Sequence, residues 1–241
     1  MNVFGNQFRV SIFGESHGPW VGITIDGCPA GIPLSAATLL PLLQRRRAGA
    51  AGTTPRAEAD EPVFASGLFN GYTTGAPLTL LFANTNTRST DYEAQRNVPR
   101  PGHADFVLAQ KFRGFNDYRG GGYSSGRLTV ALVAAGAVAM QVLQGVTITA
   151  SVTEAGGNTD VEAAIAQAVQ QQDSIGGMVT CRVQGLPAGL GDPFFHSLES
   201  TISHIIFAIP AIKGIEFGEG FHAARMTGST HNDAIIDASG A

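Results

Sequence analysis

Alternation opens the chain. From Gln7 to Phe13 apolar and polar positions exchange places, the period of two expected of a half-buried strand. Trp20 to Asp26 reads as a second strand, closed by the turn Gly27-Cys28-Pro29. The pattern then changes. Ser35 is placed to cap a helix reaching Arg47, and Pro41 is expected to kink it or delay its start. Val63–Ser66 and Pro77–Ala83 are short apolar runs that predict strands, and His103–Arg113 predicts a short helix. Leu128–Leu143 is apolar nearly all round, which predicts a buried, central helix. Further on, Val146–Thr153 and Met178–Val183 read as strands, Asp160–Gln172 as an amphipathic helix capped by Asp160, and Ser197–Phe207 as a helix ended by Pro210. Lys213–Phe217 predicts one more strand, and the stretch from Gly218 to Ala241 is polar and glycine-bearing. Hairpin-like strand pairs interleaved with helices predict an α+β fold with largely antiparallel sheets, not a doubly wound parallel sheet.

Composition narrows the function. A chain of 241 residues with 44% apolar content supports one large domain or two small ones. The net charge of −4 argues against general nucleic-acid affinity. Eleven of the fifteen Lys and Arg fall between Arg45 and Arg127, and ten of those are Arg. The planar fork of arginine suits phosphate and carboxylate, so this concentration points to a small polyanionic ligand. Other readings are a solvated basic face and, for Arg45-Arg46-Arg47, cations complementing a helix C-terminus. Cys28 and Cys181 are the only cysteines and predict a reduced, cytoplasmic pair. The N-terminus lacks a signal-peptide pattern, and no apolar run approaches the length of a bilayer span, so no membrane partner is expected.

The chemistry concentrates in loops. Asp117-Tyr-Arg-Gly-Gly-Gly-Tyr-Ser-Ser-Gly-Arg127 combines a free-bending backbone, hydroxyls, a helix start and the terminal arginines Arg119 and Arg127, the parts of an anion site. A flexible glycine loop is the plainer reading. The segment approximates a P-loop, but Arg127 and Leu128 stand where lysine and the magnesium-binding hydroxyl belong, so nucleotide hydrolysis is not expected. Gly14-Glu-Ser-His-Gly18 matches the serine-hydrolase elbow G-x-S-x-G, yet a strand-like run follows it where an elbow needs a helix. His17 fits better as an independent proton donor, or as a turn histidine bonded to backbone. Arg100-Pro-Gly-His103 pairs an anion-holding arginine with a histidine able to protonate a leaving oxygen, or simply holds a histidine in a first helical turn. No metal-ligand spacing is present, so no metal site is expected. Gly228-Ser-Thr-His-Asn-Asp233 is by itself a polar loop, and His196, His204 and His222 read as structural or surface residues. Together these features suggest removal of phosphate from a small polyanionic substrate, with histidine supplying protons.

Over essentially its whole length, from Phe8 to Asp233, the chain resembles the chorismate synthase family. The motifs that carry the likeness are Gly14-Glu-Ser-His-Gly18, Ile25-Asp-Gly-Cys-Pro29, Arg45-Arg-Arg47, Asn86-Thr-Arg-Ser-Thr-Asp-Tyr92, Arg100-Pro-Gly-His-Ala-Asp105, Asp117-Tyr-Arg-Gly-Gly-Gly122, Ser125-Gly-Arg127, Asp173-Ser-Ile-Gly-Gly177, Gly185-Leu-Pro-Ala-Gly-Leu-Gly191 and Ile209-Pro-Ala-Ile-Lys-Gly214. The resemblance implies a layered β-α-β sandwich and a homotetramer. It implies a 1,4-elimination of phosphate from 5-enolpyruvylshikimate 3-phosphate, giving chorismate for aromatic amino acid biosynthesis. It also implies a requirement for reduced FMN, supplied through an NADPH-dependent flavin reductase. By the same likeness His17 and His103 are the catalytic positions. Arg46 and Arg127 match arginines that hold substrate or cofactor anions, and Arg100 and Arg119 are expected from their own loops to bind substrate as well. Arg46, Tyr123, Ser124, Ser125, Thr230, His231 and Asn232 hold the cofactor. In two respects the chain departs from the family pattern. Only Arg56 is available where a further basic residue often follows the triple arginine. A C-terminal segment with Arg-His-Asp-Pro is also missing, which predicts a single, C-terminally truncated domain spanning 1–241 and a runner-up reading as an inactive remnant that binds flavin or anions.

Overall fold

The computed structural model describes residues 2–49, 52–54, 56–88, 92–93, 96 and 98–235. Ser89, Thr90 and Asp91, within one family motif, and the final residues 236–241 lie outside the described residues. The chain divides into two compact units, Met1–Gln184 and Gly185–Ala241.

The first unit is organised on a five-stranded antiparallel sheet. Its strands are β1 (Val3–Phe4), β2 (Arg9–Gly14), β3 (Trp20–Asp26), β4 (Val63–Ser66) and β7 (Leu78–Ala83), in the spatial order β1-β2-β3-β7-β4. A small hairpin, β5 (Leu68–Phe69) and β6 (Tyr72–Thr73), intervenes in sequence. Its two-residue turn is Asn70-Gly71, both at positive φ, as the twist of a tight hairpin requires. The period of two on β3 and β7 explains the core. Val21, Ile23 and Ile25 lie directly opposite Phe82, Leu80 and Leu78, and all six are fully buried. Each such side chain contributes about 1.5–3 kcal/mol relative to exposure.

Two helices complete that core. Helix α1 (Ala36–Arg46) is capped by the Ser35 hydroxyl, which accepts from the Thr38 amide, and buries Leu39 and Leu43 one turn apart. Pro41 lies inside α1, yet the helix begins at Ala36 without delay. Helix α3 (Thr129–Val142) buries Val130, Ala131, Ala134, Ala135, Ala137 and Val138, as its apolar periphery predicts. The stretch Arg119–Val142 is 24 residues long and apolar enough to pass a length-and-composition test for a membrane span. Its first part is not helical, because Gly120, Gly121 and Gly122 all take positive φ. The continuous helix has 14 residues, short of the roughly 20 that span a bilayer.

The rest of this unit comprises a short helix α2 (Asp105–Lys111), the hairpin β8 (Thr147–Ala155) and β9 (Gly177–Gln184), and helix α4 (Val161–Gln171) between those strands. Asp160 caps α4 through the Ala163 amide. The second unit holds α5 (Leu198–Ile206), capped by Ser197, and a one-turn helix α6 (Gly228–His231). The strand expected at Lys213–Phe217 does not form. That run has no partner strand among the described residues, and apolar residues alone do not make a ladder. The α+β class and the antiparallel pairing are as the sequence predicts.

Candidate active site

Topology gathers the polar loops of the first unit at one end of the sheet. The β2–β3 turn, Glu15 to Gly18, leaves Gly14, which pairs with Val21, while Trp20 pairs with Ala83 at the end of β7. Asn84 therefore emerges beside that turn, and Asp60, just before β4, approaches from the adjoining strand. Arg127 enters from within the 3-10 turn Gly126–Leu128 that precedes α3, a turn capped by Ser125, whose hydroxyl accepts from the Arg127 amide.

The arginines are not a free cationic surface. Each substrate-binding candidate has an acidic partner that sequence reading missed. Arg127 is only 6% exposed. It pairs with buried Asp60, its Nε donates to Asn84 Oδ1 at 2.8 Å, and Nη2 donates to the Ala83 carbonyl at 3.1 Å. It therefore stands within the wall, not on its surface. Arg46 reaches the other carboxylate oxygen of Asp60 at 3.5 Å, and its Nε is buried with no acceptor among the described residues. Burial pulls the Arg46 guanidinium below its ordinary value, and Asp60 opposes that pull. Arg100 grips Asp105 with Nε and Nη2 at 2.8 and 2.9 Å. Arg119 grips Asp117 in the same bidentate way, both contacts at 2.8 Å. The bonds from those arginines hold Asp105 and Asp117 below the usual carboxylate range.

His17 is half-buried over the glycine loop. A Cβ at position 120 would lie 2.6 Å from its Cδ2 and 2.7 Å from its Nε2, so only glycine lets the ring rest there. The Tyr92 ring meets His17 edge-on at 5.0 Å and also carries the Arg100 guanidinium at 5.5 Å. His17 and Arg100 are thus joined through one aromatic ring. The Asp117 carboxylate feels the positive field of His17. Glu15 beside it is pushed upward, first by burial and then by Asp117. His103 is exposed, and its Nδ1 lies 3.0 Å from the Pro101 carbonyl. A carbonyl only accepts, so Nδ1 carries the hydrogen and Nε2 is the nitrogen open to proton exchange. Beside Arg100 lies a cavity of about 300 Å³ whose walls include Tyr92, Arg96, Asn116 and Tyr118.

The elbow reading fails on geometry. Ser16 is fully buried in a turn between two antiparallel strands, and its hydroxyl accepts from Arg56 Nη1 at 2.8 Å. Arg56 is held in turn by Glu58, at 3.1 Å from Nε and 2.7 Å from Nη2. Glu58 also accepts from the Thr85 amide and hydroxyl and from the Asn86 amide. Burial alone would raise the Glu58 carboxyl, but these donors together keep it below its ordinary value. A carboxylate depressed in the folded state stabilises above its unfolded value of about 4.3, and that contribution is lost as pH falls through the lower folded value. Glu58→Gln is therefore expected to be less stable than the parent at pH 7. In urea denaturation the gap narrows as pH falls below about 4.

The cofactor candidates divide between the units. Tyr123 packs on the core and meets Phe112 edge-on at 5.7 Å. The exposed Ser124 hydroxyl donates to the Gly121 carbonyl at 3.1 Å. Thr230, His231 and Asn232 are exposed in and after α6 of the second unit.

Fold and site together define an α+β enzyme scaffold with a histidine set against an arginine–carboxylate wall. The family model for chorismate synthase matches residues 8–240. The chorismate synthase of Chitinophaga pinensis is 61% identical over 241 residues, covering 100% of this chain and 73% of the relative. That of Korarchaeum cryptofilum is 43% identical over 264 residues, covering 97% and 73%. A crystal structure of a chorismate synthase superimposes with a TM-score of 0.76 at 26% identity, covering 95% of this chain and 74% of that one. The chain belongs to the chorismate synthase family, the carbon–oxygen lyases that release phosphate to form chorismate in the shikimate pathway.

Proposed function

We propose that the elimination takes place against the wall formed by His17, Tyr92, Arg100 and the Gly120–Gly122 loop, with His17 and His103 as the proton-handling groups. The observation that carries this reading is the Tyr92 ring, which holds His17 and Arg100 to one surface. Arg100 and Arg119 present fixed, permanently charged forks for the anionic groups of the substrate. Their aspartates keep the forks oriented before any ligand arrives. Arg127 contributes from behind by holding Asp60 and Asn84. In its imidazolium form His103 gives the Nε2 proton to the departing phosphate oxygen and keeps the Nδ1 proton on the Pro101 carbonyl.

The residues present fit an anionic cofactor on one count. Among the described residues Arg46 Nε is a buried donor without an acceptor, a position that an incoming phosphate or carboxylate would satisfy. Arg46, Tyr123, Ser124 and Ser125 are the positions of the first unit that we assign to holding FMN. Reduced flavin, when bound, supplies electron density transiently to the substrate. The same reading makes the protein a cytoplasmic homotetramer whose flavin is reduced at the expense of NADPH. Ile148, Val152, Val179 and Val183 support assembly, since they share one face of the β8–β9 hairpin and stay exposed. We assign residues 1–241 to one chorismate synthase domain built of the two compact units.

His103→Ala tests the leaving-group assignment. Under anaerobic conditions with chemically reduced FMN, its phosphate release from 5-enolpyruvylshikimate 3-phosphate is expected to fall about 10²-fold. An unchanged rate contradicts the role given to His103.

A further inference from the structure

The sequence reading marked His17 and Arg127 but nothing that joins them. Asn84 does, through every polar atom of its side chain. Its Nδ2 donates to the Glu15 carbonyl at 3.0 Å and to the Gly18 carbonyl at 2.8 Å. These carbonyls are the two ends of the turn that carries Ser16 and His17. Its Oδ1 accepts from Arg127 Nε at 2.8 Å. Its backbone amide donates to the Pro19 carbonyl at 3.0 Å, which fixes where the side chain starts.

The chemistry of the partners permits one orientation of the amide. Two carbonyls demand the NH2 group, and a guanidinium N–H demands the oxygen. No other residue type of this size offers two donors and an acceptor in that arrangement. Aspartate keeps the acceptor for Arg127 but sets a carboxylate against two carbonyl oxygens. Alanine loses both links. On its other side the turn is held by the Ser16 amide, which donates to the Gly122 carbonyl at 3.0 Å. The turn is thus clamped between Asn84 and the glycine loop, and the Asn84 half of the clamp rests on a buried arginine.

We propose that Asn84 is a positioning residue for the elimination, fixing the His17 turn through its two amide donors and tying it to Arg127 through its oxygen. This rests on the proposed role of His17 as a proton-handling group, and the test below reads the geometry apart from turnover. A 1 Å displacement of a reacting group can cost about 10²-fold in rate, so a side chain that sets this turn bears on catalysis without touching substrate.

The test uses the full chain and two variants, Asn84→Ala and the nearly isosteric Asn84→Asp. In side-chain NMR, the His17 ring protons carry the ring-current shift of the neighbouring Tyr92 ring, assigned by their loss in His17→Gln. The Arg127 Nε–H carries the signature of a bonded guanidinium. Asn84→Ala is expected to move both signals toward their free values. Asn84→Asp is expected to move His17 but keep Arg127 Nε–H bonded, with the amide signals of β2 and β3 unchanged in each case. Phosphate release is expected to fall about 10–10²-fold in either variant, and Asn84→Ala is expected to add less than 2-fold in a His17→Ala background. An unmoved His17 signal in Asn84→Asp, or a full multiplicative loss on top of His17→Ala, overturns the proposal. Should the alanine variant fail to fold, the aspartate variant alone decides through its two separable signals. Inactivity of His17→Ala tests the function of His17, whereas the NMR signals test the clamp, so the two claims fail separately.

Discussion

Arg127→Ala is expected to destabilise the chain by about 3–5 kcal/mol, the largest stability loss expected of any single change at the site. The mechanism is an orphaned charge. Asp60 is 3% exposed and takes its principal ion pair from Arg127. With that partner gone, only Arg46 remains, and it reaches Asp60 at 3.5 Å from a half-buried position. The Asn84 oxygen and the Ala83 carbonyl lose their donors in the same step. The companion variant separates charge from packing. Asp60 sits at φ 51, a left-handed conformation that asparagine tolerates well, so Asp60→Asn removes the charge without straining the backbone. The double variant Arg127→Ala with Asp60→Asn is expected to be more stable than Arg127→Ala alone, since the deeply buried carboxylate charge is gone, while Arg46, more exposed, keeps an amide oxygen at position 60 as an acceptor. Urea denaturation of the three variants checks this. Equal stability of the single arginine variant and the double variant contradicts the pairing argument.

His17→Ala is expected to lower turnover by about 10²–10⁴-fold, the range for loss of a positioned proton-transfer group. The ring lies over Gly120 and beside the Tyr92 ring at 5.0 Å, and the hydrogen bonds of the Arg100–Asp105 and Arg119–Asp117 pairs in the wall are made without it. Removing the ring therefore leaves the wall intact, and thermal stability is expected to change little. Steady-state rates with a melting curve on the same preparation check both parts. A large fall in melting temperature would instead make His17 a structural residue of the turn.

Local pattern carried most of the fold. Trp20–Asp26 and Val63–Ser66 form the strands their patterns predict. Ser35, Asp160 and Ser197 cap the helices they precede. These features depend on residues within a few positions of one another, where periodicity and capping are strong. The β5–β6 hairpin around Asn70-Gly71 was not predicted, because strands of two residues are too short to show alternation. Val3–Phe4 became a strand only because β2 offered it an edge. Lys213–Phe217 shows the reverse case, a β-like run that remains irregular.

The site was legible by residue type and not by pairing. Arginine and histidine stood out because phosphate chemistry needs them. Their partners did not, because aspartate and asparagine are ordinary loop residues until topology brings them close. Asp60 lies 67 positions from Arg127, and Asn84 lies 69 from Glu15. Glu58 would have been found only by asking which acid satisfies Arg56 two residues earlier. Arg127, read as facing substrate, proved to face inward, since its nitrogens meet Asp60, Asn84 and Ala83.

The most direct measurement is anaerobic incubation of the full chain with 5-enolpyruvylshikimate 3-phosphate and chemically reduced FMN, quantifying chorismate and inorganic phosphate together. Equal amounts of the two products, formed by the parent chain and reduced at least 10²-fold by His17→Ala, are the predicted result. Product formation at the same rate in both chains would contradict the placement of the elimination at the His17 wall.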